Sequence, residues 1–228
     1  MALDYEIIVK GNNLRIEDGF LGLANLTLVE SDDGPLLFDT GHFCNRPMLL
    51  KALARRGYGP GDVRKVFLSH LHFDHCVNVD LFPKAKIYVS RRELEYADSP
   101  HPDDIFVPWL IREQLSRHDV TYLEGEGELG AGIRYMPAPG HTPGQYMLVL
   151  DHPQKGCVVL AGDAIKYAKE AVARCSDMPF LSVEEGERTI NKILGMADRI
   201  VPGHFPELIK RDGRFIWEDQ APFPLFIR

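Results

Sequence analysis

Five short loops constrain this chain more than any feature of its composition. Each follows an apolar, strand-like run and carries histidine or aspartate: FDTGH at 38–42, SHLHFDH at 69–75, APGHT at 138–142, AGDA at 161–164 and VPGHF at 201–205. Short apolar runs bounded by turn residues read as buried strands. Strands lying side by side hold their end loops on one rim, so side chains far apart in sequence can converge. The chain must therefore build a layered sheet structure that gathers these loops at one edge.

A lone histidine at a strand end is ordinarily a capping or solvated residue, and PGH or GDA alone says little. An HxHxDH run after a buried strand says more, because polar crowding at a sheet edge is costly without a shared partner. Imidazole and carboxylate together suit zinc, iron or manganese. His70 and His72 are two apart and point the same way on an extended loop, whereas Asp74 and His75 turn toward a second position. That pattern favours two metals over one.

Between the loops, strands are expected at 5–10, 25–30, 35–39, 63–68, 85–90, 120–123, 133–137, 145–151 and 156–161, with 198–201 as the last. Met48, Leu49, Ala52 and Leu53 recur at helical spacing and predict a helix over 46–56. A short helix is expected at 91–96, and a Ser182–Glu185 capping box opens another that runs to about 196. Residues 98–118 hold three prolines and then an amphipathic helical run with Phe106, Trp109, Leu110 and Leu115. This segment reads as an insertion lying across something, a lid or a dimerisation element of a single domain spanning 1–228. Two similar halves of strands with helices between them imply helices outside two packed sheets.

The net charge of −7 and pI near 5.7 argue against a nucleic-acid partner, which would need clustered Lys and Arg. The first twenty residues show no signal-peptide pattern, and no apolar run approaches the ~20 residues that would cross a bilayer. Cys44, Cys76, Cys157 and Cys175 lack CxxC spacing, as suits reduced thiols in the cytoplasm. The expectation is a cytoplasmic protein with neither membrane nor nucleic acid as partner.

The ordered set FDTG, HLHFDH, PGHTPG, AGDA and PGH, over roughly 25–205, resembles the metallo-β-lactamase superfamily. The resemblance implies an αβ/βα four-layer sandwich, two mixed sheets with helices on the outer faces, and a binuclear centre on one edge. By that match His70, His72 and His141 hold one divalent ion and Asp74, His75 and His204 the other, with Asp163 bridging and Asp39 orienting a ligand histidine. Zinc is the first choice of metal, iron or manganese the alternatives. An aspartate at 163, a histidine at 72 and the short stretch after His204 separate the chain from several other branches.

What remains is similar to the N-acyl-homoserine lactonases that quench quorum sensing. That branch carries a tyrosine shortly after the bridging aspartate, whereas Tyr167 lies one residue further along than the pattern; Cys76-Val77-Asn78 also replaces the usual small residues. The implied reaction opens a lactone or small ester by attack of a hydroxide held between two ions, with Asp74 and Tyr167 serving the leaving oxygen. An N-acyl-homoserine lactone is one candidate substrate. Thioester hydrolysis of the glyoxalase II kind, an iron-dependent persulfide dioxygenase and a non-catalytic metal sensor are the alternatives. Phe106, Trp109, Ile111, Met178 and Phe180 could wall an apolar pocket over the metals or simply pack the insertion onto the body, and a homodimer through 98–118 is a third use of that segment.

Overall fold

Side chains alternate along the strands, and both faces of each central strand are buried. Leu26, Leu28 and Leu37 face one way and Val29, Leu36 and Phe38 the other, none more than 2% exposed. In the second half Met147 and Val149 alternate in the same manner with Leu148 and Leu150. Strands buried on both faces lack the apolar–polar alternation of a half-exposed sheet and read as continuous apolar runs. The computed structural model describes residues 3–218, so the expected single domain over 1–228 extends beyond the described residues at both ends.

In chain order the strands are β1 (Asp4–Val9), β2 (Arg15–Ile16), β3 (Gly19–Phe20), β4 (Leu26–Glu30), β5 (Leu36–Phe38), β6 (Lys65–Phe67), β7 (Lys86–Ser90) and β8 (Asp119–Leu123). There follow β9 (Gly127–Gly130), β10 (Ile133–Pro137), β11 (Tyr146–His152), β12 (Gly156–Gly162), β13 (Arg199–Pro202), β14 (Leu208–Arg211) and β15 (Arg214–Ile216). The helices are α1 (Arg46–Ala54), α2 (Phe73–Cys76), α3 (Arg91–Asp98), α4 (Ile111–Leu115), α5 (Ala168–Ala173) and α6 (Val183–Met196). One sheet has the order β1-β4-β5-β6-β7-β8, the other β15-β14-β13-β12-β11-β10-β9, and β2 and β3 form a separate hairpin. The result is an α/β sandwich of two mixed sheets with helices on the outer faces, the architecture that the resemblance implies.

Three apolar layers hold it together. Tyr5, Phe38, Phe67, Leu148, Leu160 and Val201 fill the space between the sheets. Leu49 and Leu53 of α1, Leu94 of α3 and Ile111 and Leu115 of α4 cover the outer face of the first sheet. Ile190, Ile193 and Leu194 of α6 cover that of the second. Each large side chain so buried stabilises the fold by about 1.5–3 kcal/mol before entropy is counted. As expected, Ser182 caps α6, its hydroxyl accepting from the Glu185 amide at 3.1 Å.

This topology sets the site. β5 and β6 pair in parallel, as do β12 and β13, and β10 runs the same way as β12 because each is antiparallel to β11. Within each sheet the loops therefore leave the carboxyl ends of strands that run the same way, the edge where open α/β sheets bind ligands.

Several expectations need correcting. The strand at 199–202 is not the last: β14 and β15 follow and extend the second sheet. The helix in 98–118 is confined to Ile111–Leu115, so Phe106 and Trp109 do not share a helix with Leu110, which only caps it. Three prolines and the turns they favour leave the preceding stretch irregular. Met48 is 42% exposed although Leu49, Ala52 and Leu53 are buried. The hairpin β2–β3, β9 and α5 carry too few periodic residues to have been foreseen.

Candidate metal centre

β6 delivers Ser69, His70 and His72 on an extended stretch, and one helical turn, α2, then brings in Asp74 and His75. His141 follows β10, Asp163 follows β12 and His204 follows β13. All seven residues are buried at one rim, none more than 4% exposed. Three sets of donor atoms lie within 4.8 Å of one another: His70, His72 and His141; His70, His75 and Asp163; and Asp74, His75 and His204. Asp163 stands between the outer sets, with Oδ1 3.2 Å from His75 Nε2 and 3.3 Å from His204 Nε2, and Oδ2 3.4 Å from His141 Nε2.

The hydrogen bonds settle which nitrogen of each imidazole faces inward. Ser69 Oγ donates to Asp39 Oδ2 and so must accept from His70 Nδ1, 2.9 Å away. His75 Nδ1 donates to Asp39 Oδ2 at 2.7 Å, His141 Nδ1 to the Met178 carbonyl at 3.1 Å and His204 Nδ1 to the Leu23 carbonyl at 3.0 Å. His72 is turned over: Nε2 donates to Asp104 Oδ2 at 2.9 Å, leaving Nδ1 inward, 3.0 Å from His141 Nε2. Each ring thus spends its proton outward and presents a lone pair to the centre. Lone pairs and carboxylate oxygens facing each other at 3.0–3.4 Å call for a cation between them. His70 Nε2, His75 Nε2 and Asp163 Oδ1 are buried without a hydrogen-bond partner. The donors present therefore fit a pair of divalent ions.

The electrostatics agree. Burial holds His70 and His141 well below the usual histidine range. Burial also acts downward on His75, yet the carboxylates of Asp163, Asp74 and Asp39 push it well above that range; His204 is raised by Asp163 and Asp74 against the same burial. Cation binding must displace those protons, so affinity weakens as the pH is lowered.

Asp39 lies where the sequence places a carboxylate that orients a histidine, and besides His75 it accepts from the Ser69 amide at 2.7 Å. Its backbone is left-handed, at φ 61°, a conformation aspartate tolerates better than most residues. Asn78, in the stretch that departs from the usual small residues, donates to the Thr40 and His42 carbonyls and fastens the FDTGH loop to the turn that follows α2.

Sequence reasoning missed two carboxylates. Asp104 comes from the insertion and accepts from His72, the Tyr96 hydroxyl at 2.7 Å and the Phe106 amide at 3.0 Å. Nothing local marks it, since its partner histidine is 32 residues away. Glu93 stands three residues after Ser90, where it reads as a capping residue, yet its side chain accepts from the Leu71 amide, the Thr142 hydroxyl and the Gly144 amide. It joins the first histidine loop to the PGHTPG loop.

A cavity of about 40 Å³ opens on the centre, lined by His72, Asp74, His141, Asp163 and His204 on its floor and by Asn13, Arg15, Phe20, Phe106, Lys166, Tyr167 and Met178 on its walls. Phe106 and Met178 are among the wall residues. Phe180 lies beside them, its ring 5.7 Å from both His72 and His141. Trp109 is no wall: it is 93% exposed, because the irregular chain before α4 turns it to solvent. Ile111 is no wall either and packs into the layer outside the first sheet. The hairpin contributes Phe20, whose ring stands edge-on to His204 at 5.9 Å. Tyr167 reaches the cavity, but its hydroxyl donates to Asp177 Oδ2.

Residues 19–204 match the metallo-beta-lactamase superfamily. The chain belongs to that superfamily. It is 32% identical to metallo-beta-lactamase domain-containing protein 1 of Rattus norvegicus over 86% of this chain and 71% of the relative. It is 30% identical to an N-acyl homoserine lactonase of Bacillus thuringiensis over 63% of this chain and 64% of that protein. The chain spans about two thirds of the length of the curated relatives it matches, from 63% to 71%. Among solved structures, a putative metallo-beta-lactamase of Thermotoga maritima superposes with a TM-score of 0.74 at 20% identity, over 92% of this chain and all of that one. Bacillus thuringiensis AiiA with N-decanoyl-L-homoserine bound gives 0.71 at 21% identity, over 90% and 94%. Superfamily membership and the lactonase homologues support a metal-dependent hydrolase. No helix among the described residues is long and apolar enough to cross a membrane.

Proposed function

We propose that this hydrolase opens a lactone or a related small ester at a centre of two divalent ions, zinc before iron or manganese. The observation that carries the reading is the inward convergence of five imidazole lone pairs on two carboxylates beneath an apolar-walled cavity. His70, His72 and His141 would hold one ion, Asp74, His75 and His204 the other, and Asp163 both. Such ions, when bound, supply Lewis acidity and bring the pKa of water near neutrality.

The chain's own residues do the rest. Asp39 and Asp104 fix two imidazoles with the lone pair inward. Asp74 Oδ2, 3.4 Å from His204 Nε2, stands where a proton can pass to the leaving alkoxide. The whole cavity has room for about one or two water molecules, so the reacting group alone fits it, and the substrate's remainder would extend outward past Phe20, Phe106 and Met178. An apolar acyl chain suits those walls, which makes N-acyl-homoserine lactone, and with it quorum quenching, the leading candidate. The lactonase relatives support this reading.

The chain reads as one domain in which the exposed side chains of 98–118, Ile105, Trp109 and Leu110, suit contact with a second copy. Four free cysteines suit the cytoplasm. Hydrolysis of a panel of lactones, esters and thioesters, with elemental analysis of protein purified without chelator, tests the proposal. Lactone opening with about two ions per chain is the expected result. One ion per chain, or thioester cleavage alone, would sink it.

A further inference from the structure

Lys166 follows the short turn Asp163–Ile165 and is only 7% exposed, although lysine is seldom buried. Its ammonium is ion-paired with Glu170 Oε1 at 2.9 Å and donates to the Asp177 carbonyl. An ammonium carries three protons. Among the described residues these two oxygens are its acceptors, and the side chain lines the cavity together with Asp163 and His141. The anchors themselves are fixed: Glu170 also accepts from the Lys166 and Asp177 amides, and the Tyr167 hydroxyl closes onto Asp177. Tyr167, the neighbouring donor on the same wall, has therefore spent its one proton, whereas Lys166 has one left.

We propose that Lys166 is the donor that holds the acyl oxygen of the substrate beside the centre, and that Tyr167 is a wall residue. The inference rests on the hydrolase reading above. An ammonium already paired with Glu170 adds little net charge, so it suits a neutral ester or lactone carbonyl in the ground state. It also suits the negative charge that grows on that oxygen during attack, where a fixed donor is worth most. No covalent bond to Lys166 is made or broken. The substrate class is thus one whose acyl oxygen is free to approach the 166–177 side while its chain lies toward Phe20 and Phe106.

The test uses the metal-loaded full chain with 4-nitrophenyl acetate, which reports a hydrolytic centre of this type whatever its natural substrate, beside γ-lactones. Lys166→Met should lower kcat/KM about 100-fold with unchanged metal content, and equally for esters of good and poor leaving groups, because the contact is on the acyl side. Lys166→Met also leaves Glu170 without its counter-ion and should lower Tm. Lys166→Met combined with Glu170→Gln removes that uncompensated charge, so Tm should recover while kcat/KM stays low. Recovery of both would show that Lys166 only neutralises Glu170 and would overturn the proposal. Tyr167→Phe loosens only the Asp177 anchor and should cost much less than Lys166→Met, and a loss matching that of Lys166→Met would return the role to Tyr167. Cleavage of the nitrophenyl ester without any lactone opening would refute the lactone reading while still judging Lys166. If neither is cleaved, calorimetric binding of 4-hydroxybutanoate decides: weaker binding by Lys166→Met supports the contact, equal binding overturns it.

Discussion

Asp39 and Asp104 do the same work on opposite sides of the centre, and their supports differ. Asp39 is rooted in the sheet edge: its amide donates to the Phe67 carbonyl, and its carboxylate takes the Ser69 amide, the Ser69 hydroxyl and His75. Asp104 belongs to the insertion and accepts from His72, Tyr96 and the nearby Phe106 amide. One carboxylate is part of the fold's framework; the other is brought in by a segment that the sheets do not require. A centre assembled from both should fail in two distinguishable ways.

The largest effect should come from the residue common to both sides. Asp163→Ala should lose more than the ~10–100-fold in metal affinity that outer carboxylates typically govern, and most of the activity. Asp163→Asn should keep more metal than the alanine variant while staying slow; hydrolysis at the wild-type rate by Asp163→Asn would rule out a shared ligand.

Asp39→Asn comes next. The amide forces the His75 proton inward and sets an N–H against the Ser69 donors. Metal affinity should fall ~10–100-fold, and stability should drop by about 1–3 kcal/mol from the buried groups left unpaired. That corresponds to a Tm several degrees lower, because 1 kcal/mol shifts Tm by roughly 2–4 °C at this size. Asp104→Asn should produce a similar loss of metal with little change in Tm, and a large Tm drop would erase the distinction between framework and insertion.

Phe106→Ala and Trp109→Ala sharpen the comparison within the insertion. Phe106→Ala should raise KM for long-chain substrates more than for short ones, because a cavity wall is removed. Trp109→Ala, at a solvent-facing position, should leave stability within about 0.5 kcal/mol and metal content and KM unchanged. Any effect of Trp109→Ala should be confined to sedimentation, where it would report contact between copies; a change in KM would place that side chain at the substrate after all.

The same contrast explains what the sequence could and could not disclose. The sheets were legible because strands such as β5, β6 and β12 are apolar on both faces and end in loops with repeated polar signatures. That the five loops could converge was legible from their leaving buried strands, whereas the set His70, His72, Asp74, His75, His141, Asp163 and His204 came from the family resemblance. Asp104, Glu93 and Lys166 were not legible, for each acts through partners that only tertiary packing supplies. Trp109 was misplaced because an aromatic spacing suggestive of a helix carries no information about the prolines that interrupt it. The missed strands β14 and β15 are short and half-polar, so their periodicity is weak.

The order of the two sheets along the chain has a kinetic consequence. Every strand of the first lies before residue 124 and every strand of the second after residue 126, with an exposed turn at Gly125 between them. His70, His72, Asp74 and His75 come from the first half, His141, Asp163 and His204 from the second. Neither half owns a complete donor set for either proposed ion, so the centre exists only after the halves have docked. A cation that binds the docked state alone pulls that last assembly step forward by mass action and slows its reversal. Metal supply during synthesis would then govern how much chain matures, and two fragments divided at the Gly125 turn would find each other more tightly with zinc than with a chelator.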